Sequence, residues 1–277
     1  MQLKAFIKKK AAEKNISAQL VMQNYMLERL LERISLSAYK RNFILKGGFL
    51  ISAIVGLDTR ATMDLDATIK GFTLTHESIQ EIFEEICAVE VPDDVLFELR
   101  EISDIREGDD YPGIRVSLNA NYPPIRVPLT VDVTTGDIIT PREIEYTFSL
   151  LFDDRTISIL AYNLETVLAE KIETVLSRSI ANTRPRDFYD IHILYSLRGA
   201  ECNPETLLQA LERTANKRGS QKVLRQYQDI ISEIRSSEQL RGFWKKYQRD
   251  FDYAKDISFD DACDTIQHIM NSMLQNK

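Results

Sequence analysis

The feature that most narrows the fold is a change in the period of the apolar residues at Asn163. Upstream of it two periods are interleaved. Leu20, Val21, Tyr25, Met26 and the run Leu30 to Ile34 recur at helical spacing, with Glu28 and Arg29 on another face. Thr62 to Ile69 instead alternates with period two, as a half-buried strand does. Downstream, Val167, Leu168, Ile172 and Val175 and the segments that follow keep only the helical period. The pattern predicts an α+β chain, with a mixed α/β first domain over residues 1–160. An all-α helical bundle over residues 161–277 follows it.

Within the first domain, the short apolar run Phe43 to Lys46 ends in Gly47-Gly48, and Phe49 to Val55 reads as a buried helix closed by Gly56. A further helix is expected over residues 75–89. Short strands are expected at Val95–Arg100, Ile114–Leu118 and Pro128–Val133, punctuated by Pro92, Gly108, Pro112, Gly113 and Pro123-Pro124. In the second domain Pro185 is placed to start a helix, and the polar stretch 214–222 reads as a loop.

Composition excludes several function classes. No run of about 18 uncharged apolar residues is present, so a membrane span is not expected. The N-terminal apolar run is too short for a secretion signal. Cys87, Cys202 and Cys263 are far apart without a CxxC pair, which predicts free thiols, a cytoplasmic setting and no zinc site. The net charge of −7 is unevenly spread: residues 1–46 sum to +7, residues 213–249 to +7 and residues 47–212 to −17. An acidic middle between two basic segments suits a metal-binding core with phosphate-contacting arms. Solvated helix faces would give the same charge pattern. Nucleophile-elbow and P-loop motifs are missing, and His76, His192 and His268 are dispersed.

The residues that remain carry phosphate chemistry. On a strand, Asp64 and Asp66 project from one face, and two neighbouring carboxylates invite a divalent cation; a solvated acidic face is the alternative. Asp132 sits inside the β-branched run Thr130 to Val133. It is either a third carboxylate for the metal or an edge residue facing water. Lys46-Gly47-Gly48 reads as a tight turn able to bring backbone amides, a helix N-terminus and a point charge to a phosphate. Lys171 and Arg178 lie two turns apart on one helix, beside Glu170 and Glu173, with which they can also form ordinary helix pairs. Asp187 falls in the first turn of the helix that Pro185 opens, where an acid also complements the macrodipole.

Taken in order, Lys46-Gly47-Gly48, Arg60 to Asp66, Val131-Asp132-Val133, Glu170-Lys171 through Arg178, and Arg184 to Asp190 resemble the AbiEii/AbiGii family of nucleotidyltransferase-like toxins, MenT-type toxins among them. The resemblance spans residues 40 to about 200. It implies a polymerase-β-like nucleotidyltransferase domain with a mixed sheet, followed by a helical domain, with an NTP bound between them. It also implies Mg2+ at Asp64 and Asp66, with Asp132 as a further ligand, and Lys46 and Lys171 on the nucleotide phosphates. Gly47, Gly48, Thr62 and Arg178 then complete the nucleotide site, and Asp187 is catalytic. The implied acceptor is RNA, at the 3′ end of tRNA, and the implied partner is a cognate antitoxin, often without a stable complex. One departure stands out: Phe49 replaces the small hydroxyl residue that often follows the glycine pair. Transfer to a protein or small molecule, or a non-catalytic NTP-binding module, are the rival functions on the same residues. Tyr227, Phe243, Trp244 and Tyr247, interleaved with the second basic segment, read as bundle core or as a base-stacking platform.

Overall fold

A computed structural model describes residues 2–105 and 113–274; Gly108 and Pro112 lie outside the described residues. The chain divides into two compact units: Met1–Asp137 with Glu143–Tyr162, and Ile138–Arg142 with Asn163–Lys277.

The first unit contains helices α1 (Gln2–Lys14), α2 (Ala18–Leu36), α3 (Gly47–Val55) and α4 (His76–Ala88). Its strands are β1 (Phe43–Lys46), β2 (Leu65–Ile69), β3 (Leu96–Asp104), β4 (Gly113–Tyr122), β5 (Ile125–Thr135), β6 (Ile144–Ser149) and β7 (Thr156–Ala161). They form one mixed sheet in the order β3-β4-β5-β2-β1-β7-β6. β2 runs parallel to β5 and antiparallel to β1, and β1 runs parallel to β7. The class is therefore α+β, as the periodicity predicts, and the sheet is mixed, as the family resemblance implies.

Alternation along the strands separates core from site. Val127, Leu129, Val131 and Val133 of β5 are buried together with Ile114, Val116 and Leu118 of β4, while Arg115 and Asp132 take the opposite face. Pro128 is tolerated in β5 because β2 pairs with that strand only from Leu65↔Val131 onward, so no sheet bond is lost on that side.

Two sequence expectations need correction here. The β2 strand begins at Leu65, not Thr62. Asn24 Nδ2 donates to the Thr62 carbonyl (2.8 Å) and Gln23 Nε2 to that of Met63 (3.1 Å), so side chains of α2 hold a segment outside the sheet. Glu28 and Arg29, on the polar face of α2, are buried. Arg29 bonds Glu28 and Glu32 at 2.6 Å each, and the Leu151 amide donates to Glu28 (2.7 Å), so the charges are neutralised internally.

The second unit is all helical: α5 (Leu164–Arg178), α6 (Pro185–Arg198), α7 (Pro204–Lys217), α8 (Gln221–Arg225), α9 (Tyr227–Ser236), α10 (Glu238–Asp250) and α11 (Phe259–Leu274), with short 3-10 turns. Asn163 caps α5 by accepting from the Thr166 amide (2.8 Å). Its side-chain amide donates to the carbonyls of Thr140 (2.7 Å) and Arg142 (3.0 Å), which ties residues 138–142 into this unit. The loop expected over 214–222 is mostly helix. Thr214 and Ala215 are buried, so α7 keeps its apolar face through Lys217, and α8 starts at Gln221.

Candidate active site

The glycine turn and the carboxylates form one structure. β1 passes directly into α3, and Gly47 makes the turn at φ +65°, where a side chain would also overlap the Asp66 carboxylate. The Gly48 amide at the start of α3 donates to Asp66 Oδ2 (3.3 Å), and a Cβ there would lie 2.9 Å from Thr62 Oγ1. Gly47 requires glycine for its positive φ and its approach to Asp66, whereas a side chain at Gly48 would press on the Thr62 hydroxyl. Phe49 points elsewhere: it is buried and stacks on Phe148 at 5.6 Å, which explains an aromatic at this place.

Register aligns the charges. Lys46 of β1 pairs with Asp66 of β2, Asp66 with Asp132 of β5, and Asp132 with Arg115 of β4, a row of cation, acid, acid, cation across neighbouring strands. Burial above all pushes the Asp66 pKa upward. The Asp132 and Asp64 charges add to the effect, while Lys46 and the Gly48 amide oppose it. Asp132 is gripped by Arg115, whose Nε and Nη2 donate to its two oxygens at 2.8 Å each. Asp64 is exposed, one residue before β2, and near enough that its charge helps to raise the Arg115 pKa, although the Asp132 bond dominates that shift. Among the described residues, no group of three or more His, Cys, Asp or Glu side chains is arranged to hold a metal ion.

Lys46 is occupied within its own unit. Its Nζ donates to Thr134 Oγ1 (2.6 Å) and Asp137 Oδ2 (2.5 Å), and that oxygen also accepts from Thr134 Oγ1 (2.9 Å) and the Tyr162 hydroxyl (2.8 Å). Asp137 and Tyr162 are site residues that sequence reasoning missed. The available signal was Asp137 itself, an acid just after the β5 run and next to Gly136.

In the second unit, Lys171 does not pair with its helix neighbours. Its Nζ reaches Asp187 Oδ1 (2.9 Å) and the fully buried Asp190 Oδ2 (2.8 Å) on α6. Burial works against the lysine charge, but the Asp190 and Asp187 carboxylates outweigh it and raise the Lys171 pKa. Asp187 Oδ2 is buried without a hydrogen-bond partner among the described residues. Glu170 and Glu173 are met by Arg218, and Arg178 is half-buried in the last turn of α5.

A family model, the nucleotidyl transferase AbiEii toxin of the Type IV TA system, matches residues 29–265. The chain belongs to the AbiEii family. Two solved structures share its fold. A candidate nucleotidyltransferase from H. pylori is 13% identical with a TM-score of 0.54, covering 95% of this chain and 99% of its own. JHP933 from Helicobacter pylori is 14% identical with a TM-score of 0.50, covering 94% and 95%. No curated protein matches the sequence significantly.

Other features of this AbiEii chain resolve alternatives left by the sequence. Tyr227, Trp244 and Tyr247 are buried, and Trp244 Nε1 donates to the Ile257 carbonyl (3.0 Å), so they serve the bundle core, not base stacking. Burial pushes the thiols of Cys87 to about 11 and of Cys202 and Cys263 to about 12, which removes thiolate chemistry at neutral pH. No helix of the described residues is long and apolar enough to cross a membrane.

Proposed function

We propose that this AbiEii protein transfers a nucleoside monophosphate from an NTP to an RNA acceptor, the 3′ end of tRNA, in a Mg2+-dependent reaction. The observation that carries the reading is the cross-strand row that sets Asp66 beside Asp132, with the Gly47-Gly48 turn folded onto Asp66. The donor set suits the ion: hard carboxylate oxygens, one of them in a site where burial and neighbouring acids disfavour its charge. Asp64, Asp66 and Asp132 are the carboxylates assigned to it, and binding would have to gather them, since without the ion they are not arranged as a cluster. Bound there, Mg2+ would supply Lewis-acid chemistry toward the acceptor hydroxyl and the pyrophosphate leaving group.

The remaining roles fall to the chain itself. The Gly47-Gly48 turn, Thr62 and the N-terminus of α3 offer backbone and hydroxyl donors to phosphate oxygens, and Lys46 adds a charge beside them. Lys171 and Arg178 are assigned to the nucleotide phosphates. Asp187, with one carboxylate oxygen unpartnered, is assigned to receive the proton of the acceptor hydroxyl. Lys222, Arg225, Lys245, Lys246 and Arg249 are exposed, which supports a polyanionic acceptor. Toxin-family membership supports a cognate antitoxin as partner and the cytoplasm as the site of action.

Incubation of the purified protein with each labelled NTP, Mg2+ and tRNA is expected to place label on tRNA, and Asp66→Asn is expected to abolish it. Label found only on protein would overturn the RNA acceptor.

A further inference from the structure

Arg115 lies outside every motif named above, yet it ends the charged row of the active site. Asp66 and Asp132 are register partners on parallel strands, so their carboxylates repel. Of the two cations in the row, Lys46 Nζ is bonded to Asp137 and Thr134. Lys46 still compensates Asp66 by its charge, but the cation hydrogen-bonded to the pair is Arg115, through a two-point fork on Asp132 at 2.8 Å and 2.8 Å. The fork takes one lone pair on each Asp132 oxygen and sets a positive charge where an ion would approach.

The two partners differ in burial. The Asp132 side chain is 18% exposed and that of Arg115 48%, so the acid is fixed and the guanidinium can swing into water. An ordinary cross-strand pair stabilises a sheet and nothing more. This one stands on a carboxylate assigned to the metal. Fork and ion therefore compete for Asp132, through its oxygens and through the repulsion between guanidinium and cation.

We infer that Arg115 is a built-in competitor of the divalent cation: its fork holds Asp132 until an ion arrives, and its release sets how tightly that ion binds. The inference rests on the proposed metal site. The apparent affinity for the ion is the intrinsic one reduced by the fraction of molecules in which the fork is open. For a half-exposed pair that penalty is roughly fivefold.

Mn2+ binding to the full chain, followed by electron paramagnetic resonance, tests this without an activity assay. Arg115→Gln is expected to bind Mn2+ about fivefold more tightly than the parent, a gain set by the fork's opening equilibrium. Arg115→Lys, which keeps the charge but loses the fork, should fall between them. Arg126→Gln, the same charge change at an arginine paired with Glu98, should match the parent. Adding Asp132→Asn to Arg115→Gln should erase the gain, showing that it acts through Asp132. An Arg115→Gln affinity no tighter than the parent's, or an equal gain in Arg126→Gln, overturns the competitor while leaving the metal site intact. If neither parent nor Arg115→Gln binds Mn2+, the metal site and the competitor fall together.

Discussion

Gly47 shows how backbone and chemistry depend on each other at the scale of a residue. Its positive φ and the absence of a side chain let the turn close on Asp66, so substitution acts on stability and on the carboxylate at once. Gly47→Ala is expected to lose at least about 1 kcal/mol in chemical denaturation and to displace Asp66 from the Gly48 amide. An unchanged midpoint would mean the turn relaxes freely. Lys171 is the counterpart in the second unit. Lys171→Ala leaves Asp187 and Asp190 buried without their cation, at an expected cost of about 3–5 kcal/mol. Calorimetry should therefore show a large fall in Tm, and activity must be compared at a temperature where the variant is folded. A fall of only a degree or two would show that the two acids find other partners.

At the scale of elements, burial of charge along α2 makes stability depend on pH. Burial, opposed by Arg29, pushes the Glu28 pKa up to about 7 from 4.5. The folded chain therefore binds this proton more tightly than the unfolded chain. The resulting stability is full below pH about 4.5 and is lost as pH rises through about 7. Relative to Glu28→Gln, the parent is expected to lose on the order of 1–3 kcal/mol across that window. Parallel unfolding curves for the two proteins between pH 5 and 8 would contradict it. The same elements show what was legible in the sequence. Helix α3, the strand that carries Asp66 and the start of α6 at Pro185 announce themselves through local chemistry: a glycine pair, alternation and a proline at the first helical position. β6 and β7 lie outside the sequence expectations: β6 is a six-residue edge strand with polar alternate positions and little apolar signal, whereas β7 carries an alternation at Ile157, Ile159 and Ala161 that could have found it. The partnership of Lys46 with Asp137, and of Asp132 with Arg115, was equally hidden. Each depends on strand register between segments far apart in the chain, which no local pattern encodes.

For the whole molecule, family membership and the glycine–carboxylate row converge on nucleotidyl transfer, while the acceptor rests on exposed basic residues and the toxin family. Charge reversal of Lys245 and Lys246 to Glu is expected to weaken tRNA binding and to flatten its salt dependence by roughly one to two phosphate contacts, with NTP binding unchanged. Filter binding at several salt concentrations would reveal this, and an unaltered salt slope would move the RNA surface elsewhere. The most direct measurement is the intact mass of tRNA after incubation with the protein, Mg2+ and each NTP in turn. The parent should add whole nucleotide masses with at least one NTP, and folded Asp66→Asn should add none. An unchanged tRNA mass with every NTP, or equal addition by Asp66→Asn, would contradict transfer through this site.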